Sequence, residues 1–389
     1  MSPAVTAAPA VLQALRQWLL EELCPWWYER VYDARGGFHE GLDASGKAVD
    51  APSQSILVQA RLTYVFSHAF ALSKSPAMAA ASHHGFAHLQ RWVGPAGHGW
   101  PRRRSLDGTV TDAARDTYDH AFVILACAWR HRASGDPAAI AIADRTFDFL
   151  KTELADPTQG GFFEEHPKLD TAPRRQNPHM HLLEATLAMH AATGQPSWLD
   201  ASRQLVSLMQ ARLTDHGTGS LAEFFESDWA PASGHAGRLR EPGHQFEWVW
   251  LLNEYARLSG ERRVDELADN LFDFGVRHGI ATAPPLAGLV VESVDREGPV
   301  ISPASLFWPQ TEYIKACVAR ADRGIAGMRD AALAHLARLR EVHFRPDGFN
   351  WCNQLSATGS CSTPVTPARV LYHLFFAVAE IIRLEEARR

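Results

Sequence analysis

Two apolar patterns alternate along this chain. In VLQALRQWLLEEL, AIADRTFDFLKTEL, ASRQLVSLMQARL, VDELADNLFDFGVRH and AALAHLARLREVH the apolar residues keep to one side of a 3.6-residue repeat. In RDTYDHAFVILACAW, HMHLLEATLAMHAA, QFEWVWLLNEYARL, TEYIKACVA and ARVLYHLFFAVAEII they cover nearly the whole circumference. A one-sided stripe predicts a surface helix, and an all-round one predicts a buried helix. Between them recurs a glycine followed by a bulky apolar residue: Gly37-Phe38, Gly99-Trp100, Gly161-Phe162, Gly288-Leu289 and Gly348-Phe349, with Gly219-Ser220-Leu221 a weaker sixth. The gaps are 62, 62, 58, 69 and 60 residues. Each mark opens a polar, turn-rich segment such as GGFHEGLDASGKAVD, which reads as a short irregular hairpin or loop. Six units of exposed helix, loop and buried helix predict an all-α fold, an (α/α)6 barrel with the buried helices inside and short β-hairpins or loops at one end. An open superhelical solenoid is the alternative; closure is preferred because no unit reads as a polar terminal cap. No break marks a second domain, so residues 1–389 are expected to form one barrel domain.

The buried helices are polar only where they begin. Their starts carry Gln59 with Arg61, Tyr118 with Asp119 and His120, His181 with Glu184, His244 with Glu247, Trp308 with Gln310 and Glu312, and Tyr372 with His373. Arg61, Asp119, His181, His244, Gln310 and His373 recur at gaps of 58, 62, 63, 66 and 63 residues, the period of the architecture. Pro178, Pro242, Pro309 and Pro367 stand at or just before four of these starts, as proline does at helix N-termini. In a closed ring six such starts line a common cup. Within PGHQFEW, His244 and Glu247 share one face of a first helical turn. Arg61, inside the apolar run ILVQARLTYVF, is costly to bury unpaired and should face anionic or polyhydroxy groups in the cup. His83, His84 and His88 fall on an outer amphipathic helix and read as surface, whereas His190 reads as a hydrogen-bonded core residue.

A net charge of −6 with scattered basic residues leaves no footprint for nucleic acid or an anionic membrane. No eighteen uncharged apolar residues run together, so no membrane span is expected. Cys24, Cys127, Cys317, Cys352 and Cys361 are odd in number and irregularly spaced, without a C-x-x-C. No disulfide framework is expected, and a reducing cytoplasm fits. The start MSPAVTAAPAVLQAL lacks the basic opening of a secretory leader. The expected partner is a small molecule, the chain being a monomer or homodimer.

Three chemistries compete for the cup. His181-x-x-Glu184 and His244-x-x-Glu247 resemble reversed halves of a di-iron bundle motif, but no pair of helices supplies the two further carboxylates, and H-E-x-x-H is absent. No metal and no cofactor are therefore expected; a phosphate-binding G-x-x-x-x-G-K-[ST] loop is absent too. Glycoside hydrolysis needs two carboxyl groups flanking the scissile bond. Glu247, Glu312 or Asp119 could serve, yet the histidines would be left unused. Proton transfer beside a carbonyl fits better, because an imidazole both takes and returns a proton near neutral pH. The C1 carbonyl of an open-chain aldose acidifies C2–H, and Arg61 or a neutral donor would stabilise the enediolate. Returning the proton to C1 gives a ketose; returning it to the opposite face of C2 gives an epimer. A non-catalytic sugar-binding barrel is the remaining reading, and binding alone needs no paired imidazoles.

In this order and at this spacing, VQARLTYVFSHAF, RDTYDHAFVILACA, NPHMHLLEA, PGHQFEWVWLL and YHLFF resemble the N-acylglucosamine 2-epimerase family, from about Gly37 to Leu384. The resemblance implies an (α/α)6 barrel and a cofactor-independent sugar isomerase or 2-epimerase. It implies His244 and His373 as the acid/base pair, with Arg61, Tyr118, Asn177, His181, Glu247 and Trp308 binding substrate. Gln310 and Glu312 join that set from their place at a helix start. Disaccharide epimerases of the family carry a further tryptophan shortly before the terminal histidine; TPARVLYH has none, which favours a monosaccharide. LDASGKAVD and DGFNW resemble the mannose isomerase branch. The expectation is a mannose-type aldose–ketose isomerase in which His373 carries the proton between C2 and C1 and His244, held by Glu247, serves ring opening. A 2-epimerase using both histidines on opposite faces of C2 is the alternative.

Overall fold

The glycine marks are where loop and inner helix meet, and the reason is steric. In the computed structural model, which describes residues 3–94, 98–168 and 173–388 (side chains from residue 10), Gly99 and Gly161 adopt φ of 62° and 72°, a left-handed backbone open to glycine. A Cβ at either would stand 2.8 Å from an imidazole Nε2, that of His120 or His179. Those imidazoles need the room, since Nε2 accepts the next residue's N–H, Trp100 or Phe162, at 2.9 Å. Glutamines do the same elsewhere. Gln59, Gln245 and Gln310 each accept the backbone N–H and donate to the backbone carbonyl of one loop residue: Phe38, Leu221 and Val290. Five of the six units thus pin a loop to the first turn of an inner helix.

The helices are α1 (Pro3–Arg16), α2 (Cys24–Val31), α3 (Ile56–Ser73), α4 (Pro76–Trp92), α5 (Thr117–Ser134), α6 (Pro137–Phe149), α7 (Asn177–Thr193), α8 (Pro196–Leu208), the short α9 (Gly234–Arg238), α10 (Pro242–Ser259), α11 (Asp265–Gly279), α12 (Phe307–Asp322), α13 (Met328–His343) and α14 (Leu371–Ala387). The six all-round apolar helices α3, α5, α7, α10, α12 and α14 form the inner ring, each against the next and α14 against α3. The helices with one-sided stripes stand outside them. Ser55 and Asp116 cap α3 and α5 through their side chains. Two-residue and three-residue antiparallel ladders link neighbouring units at the helix starts, for example Arg115–Asp116 with Glu165–His166 and Arg174–Arg175 with Phe224–Phe225. The ladder Gly41–Asp43 with Val365–Pro367 joins the first unit to the last. The ring is closed, an (α/α)6 barrel rather than an open solenoid.

Three expectations change. Cys352 and Cys361 form a disulfide, Cα atoms 5.7 Å apart, because a hairpin folds the nine-residue interval back on itself. His88 is buried and hydrogen-bonded to Gln54 Oε1, since it lies on the inner side of α4, while His83 remains exposed. His190 sits half-exposed near the end of α7 against the Gln195 carbonyl, not in the core. Among the described residues no helix is long and apolar enough to cross a membrane. The stretch read for a leader lies partly outside the described residues.

Gln310 is the clearest departure. It is fully buried and spends its amide on Val290, Leu306 and Ser305. Gln310→Leu strands the Val290 N–H and C=O away from water, so it is expected to cost about 2 kcal/mol or more of stability, read from denaturant melts, with KM little changed.

Candidate active site

The register of the pins decides which residues face the ring axis. Two before each pinning residue stand Leu57, Tyr118, Asn177, Gly243 and Trp308; two after stand Arg61, Phe122, His181, Glu247 and Glu312. Residues four apart share a helix face, whereas a step of two turns about 200°. Both sets therefore point inward and the pins outward, which is why Gln310 stands apart from Trp308 and Glu312. Arg61, Tyr118, Asn177, His181, Glu247 and Trp308 meet His244 and His373 around one cavity of about 450 Å³. Glu312 lies just behind its wall, and neither Gln310 nor Asp119 lines it.

The two imidazoles flank one indole, with ring centroids 4.8 Å (His244) and 5.8 Å (His373) from that of Trp308. Their surroundings are opposite. His244 Nδ1 lies 2.8 Å from Glu223 Oε2 and 3.4 Å from Glu241 Oε2. Burial alone would lower this imidazole, but the Glu223 and Glu241 carboxyls override it and raise its pKa to about 10. An imidazolium carries hydrogen on both nitrogens. Asn177 Nδ2 stands 3.2 Å from Nε2, and against an imidazolium the amide turned over presents Oδ1 there instead, which also gives that oxygen a partner. His373 Nδ1 lies 2.8 Å from Glu312 Oε1, yet burial, helped by Arg61 and Lys315, holds this ring well below the usual histidine range. One site thus holds an acid and a base of the same residue type.

Glu247 does not hold His244. Its carboxyl makes no hydrogen bond among the described residues and lies 3.9 Å from His181 Nδ1 and 3.8 Å from Lys315 Nζ. Burial, then the nearby Glu312, push it up to about 8, so it stands as a neutral acid with a hydroxyl to donate. His181, lowered to about 4 mainly by burial, gives Nδ1–H to Glu184, whose oxygens also accept the Tyr372 hydroxyl. Arg61, 2% exposed, donates to Tyr118 Oη at 2.6 Å and the Arg369 carbonyl at 3.3 Å, above the Phe122 ring. Among the described residues it has no carboxylate partner, and its Nε has none at all. A buried guanidinium so placed is suited to an oxyanion.

Three groups could bring ligand atoms together: His181–Glu184–Glu247, Glu223–Glu241–His244 and Glu247–Glu312–His373. In each, a carboxylate already occupies the imidazole Nδ1, and in the third the Lys315 ammonium stands where a cation would. The arrangement favours proton traffic over metal binding.

Sequence reasoning missed Glu223, Glu241 and Asn353, all on loops, and Arg369, in the 3₁₀ turn Ala368–Val370. A signal for the first existed. Two residues beyond the pinned positions Phe38, Phe162, Leu221 and Val290 stand Glu40, Glu164, Glu223 and Glu292, a carboxylate repeated at the architectural period. Glu223 accepts from His244, Gln176 and the Glu241 N–H, and Gln176 is in turn held by Trp248 Nε1.

The family model for N-acylglucosamine 2-epimerase matches residues 36–377. The chain belongs to the N-acylglucosamine 2-epimerase family. It is 32% identical over 380 residues to the mannose-6-phosphate isomerase of Rhizobium meliloti, covering 94% of this chain and 95% of that one. It is 29% identical to the D-mannose isomerase of Pseudomonas cannabina pv. alisalensis, covering 87% and 85%. The fold superposes on cellobiose 2-epimerase from Spirochaeta thermophila with a TM-score of 0.86 at 22% identity, over 100% of both chains. Membership makes this barrel a sugar isomerase or epimerase. The residues gathered at its mouth come from all six units, so the cavity is a property of the closed ring.

Proposed function

We propose that the protein is a cofactor-independent isomerase interconverting D-mannose and D-fructose. The reading is carried by one observation: an imidazole held by Glu223 and Glu241 and another held by Glu312 face one cavity, beside a buried guanidinium that no carboxylate neutralises among the described residues. The His244 imidazolium gives its proton to the ring oxygen, and the imidazole so formed takes the proton of the anomeric hydroxyl, which opens the pyranose and restores the imidazolium. His373 Nε2 then takes the C2 proton. The C–H electron pair forms the C1=C2 double bond, and the carbonyl electrons move onto O1, where Arg61 balances the charge. His373 returns its proton to C1, Glu247 gives its proton to O1, and the carboxylate so formed takes the proton that O2 releases as it becomes the ketone. Glu312 fixes hydrogen on His373 Nδ1 throughout. Support comes from the D-mannose isomerase relative and from TPARVLYH, which offers no stacking surface for a second sugar.

A second reading, a sugar 6-phosphate as substrate, is favoured by Arg369. Its exposed side chain lines the cavity mouth and makes no ion pair among the described residues, and one relative is named a mannose-6-phosphate isomerase. The test is incubation with D-mannose and with D-mannose 6-phosphate, followed by product separation. Fructose from mannose supports the proposal, and glucose as the first product turns it into epimerisation. Preference for the phosphate, with KM for it alone rising about tenfold or more in Arg369→Ala, supports the second reading. No product from any aldose removes both.

A further inference from the structure

One fully buried cation belongs to no wall of the cavity. Lys315, in the apolar run TEYIKACVA of α12, is 0% exposed and cannot touch a sugar. Its Nζ lies 2.7 Å from Glu312 Oε2 and 3.8 Å from Glu247 Oε1, with the Phe376 and Trp250 rings 4.5 and 5.1 Å away. Three inner helices thus bring Glu184, Glu247 and Glu312 around one ammonium. Burying such a charge is strongly unfavourable unless its partners need it. Glu312 does. With Oε2 beside Lys315, Oε1 is left for His373 Nδ1 at 2.8 Å.

We infer that Lys315 is a positioning residue for the isomerisation: it holds Glu312 as a carboxylate in one orientation, so that His373 keeps hydrogen on Nδ1 and presents a bare Nε2 to the sugar. The inference rests on the proposed role of His373 as base. A structural cation would serve the fold alone; a positioning one must also set when the base works.

The titratable and charged groups facing His373 are Glu312 and Lys315 from α12, Arg61 from α3, His181 and Glu184 from α7, and Glu247 from α10. Those facing Lys315 are Glu312, Glu247 and Glu184. Removing the ammonium leaves three carboxyls without their common cation and takes away one of the two charges that oppose protonation of His373. His373 then binds a proton more readily, and the productive neutral imidazole is reached only at higher pH.

The experiment uses the full chain with Lys315→Met and Lys315→Gln, the second keeping a donor without the charge. Expected, per folded molecule, are a kcat lower by about 10–100-fold at neutral pH, KM little changed, and an acid limb of kcat against pH shifted upward by roughly one unit, alongside a lower melting temperature from the unpaired carboxyls. Nitrogen-15 shifts of His373 should report hydrogen on Nδ1 in the wild type and a mixture of tautomers in either variant. A fall in kcat with an unmoved acid limb, or a His373 tautomer that ignores the substitution, overturns the inference. If Lys315→Met does not fold, Lys315→Gln decides it. Should the wild type turn over no aldose, the proposed function fails, while the tautomer comparison still decides the positioning claim.

Discussion

Replacing His373 with asparagine is expected to lower kcat by about 10²–10⁴-fold, the range for a lost general base, and to stop exchange of the C2 proton with solvent deuterium. Asparagine can still donate to Glu312 Oε1, so the carboxylate is not stranded and the fold should survive; what disappears is the nitrogen proposed to accept a proton from carbon. The measurement is deuterium wash-in at C2 followed by proton magnetic resonance, alongside turnover. Wash-in at the wild-type rate would hand the base role to another group, His181 being the next neutral imidazole in the cavity. Binding of the sugar should change little, since Arg61, Trp308 and Asn177 are untouched.

The second large effect is expected at a loop residue. Glu223→Gln removes the charge that, with Glu241, keeps His244 an imidazolium, and replaces one acceptor oxygen by NH₂, so that either the Glu241 N–H (at Oε1) or Gln176 and His244 (at Oε2) lose their acceptor. A fall in kcat of about 10²-fold is expected, with the basic limb of the rate profile moving to lower pH. The sign follows from the causes: burial pulls His244 down, so losing Glu223 lets it lose its proton earlier. The ion pair's contribution to stability is complete below about pH 6.5 and is lost as pH rises through about 10. An unmoved basic limb would mean that Glu241 alone suffices and that Glu223 serves only the loop.

The architecture was legible because burial writes it directly into composition: a helix surrounded by protein is apolar all round, and six of them with six striped partners leave few ways to close. The inward residues were legible where they fell two positions from a pin, as with Arg61, His181 and Trp308. Gln310 was misread because its recurrence was real while its face was not. Period locates a residue along the chain, but a two-residue offset decides whether it meets ligand or loop. Glu223 escaped because its partner is twenty-one residues away across a turn, a proximity that no local spacing encodes. Glu247 was assigned to His244 from a shared helix face, but that imidazole turns its Nδ1 outward to the loop. Lys315 escaped because it stands a turn deeper than the helix starts, where the run looked uniformly apolar. The Cys352–Cys361 pair had no motif to announce it; only the hairpin creates it.

The contact from Arg61 to the carbonyl of Arg369 spans 308 residues of chain. At a synthesis rate of about 5–20 residues per second, a ribosome needs on the order of 15–60 s to deliver the second partner after the first. For that interval the nascent polypeptide carries inner helices with no ring to enter, apolar on every side, and a guanidinium destined for burial still in water. Such a chain can gain no activity piecemeal; it must be shielded until its last helix emerges.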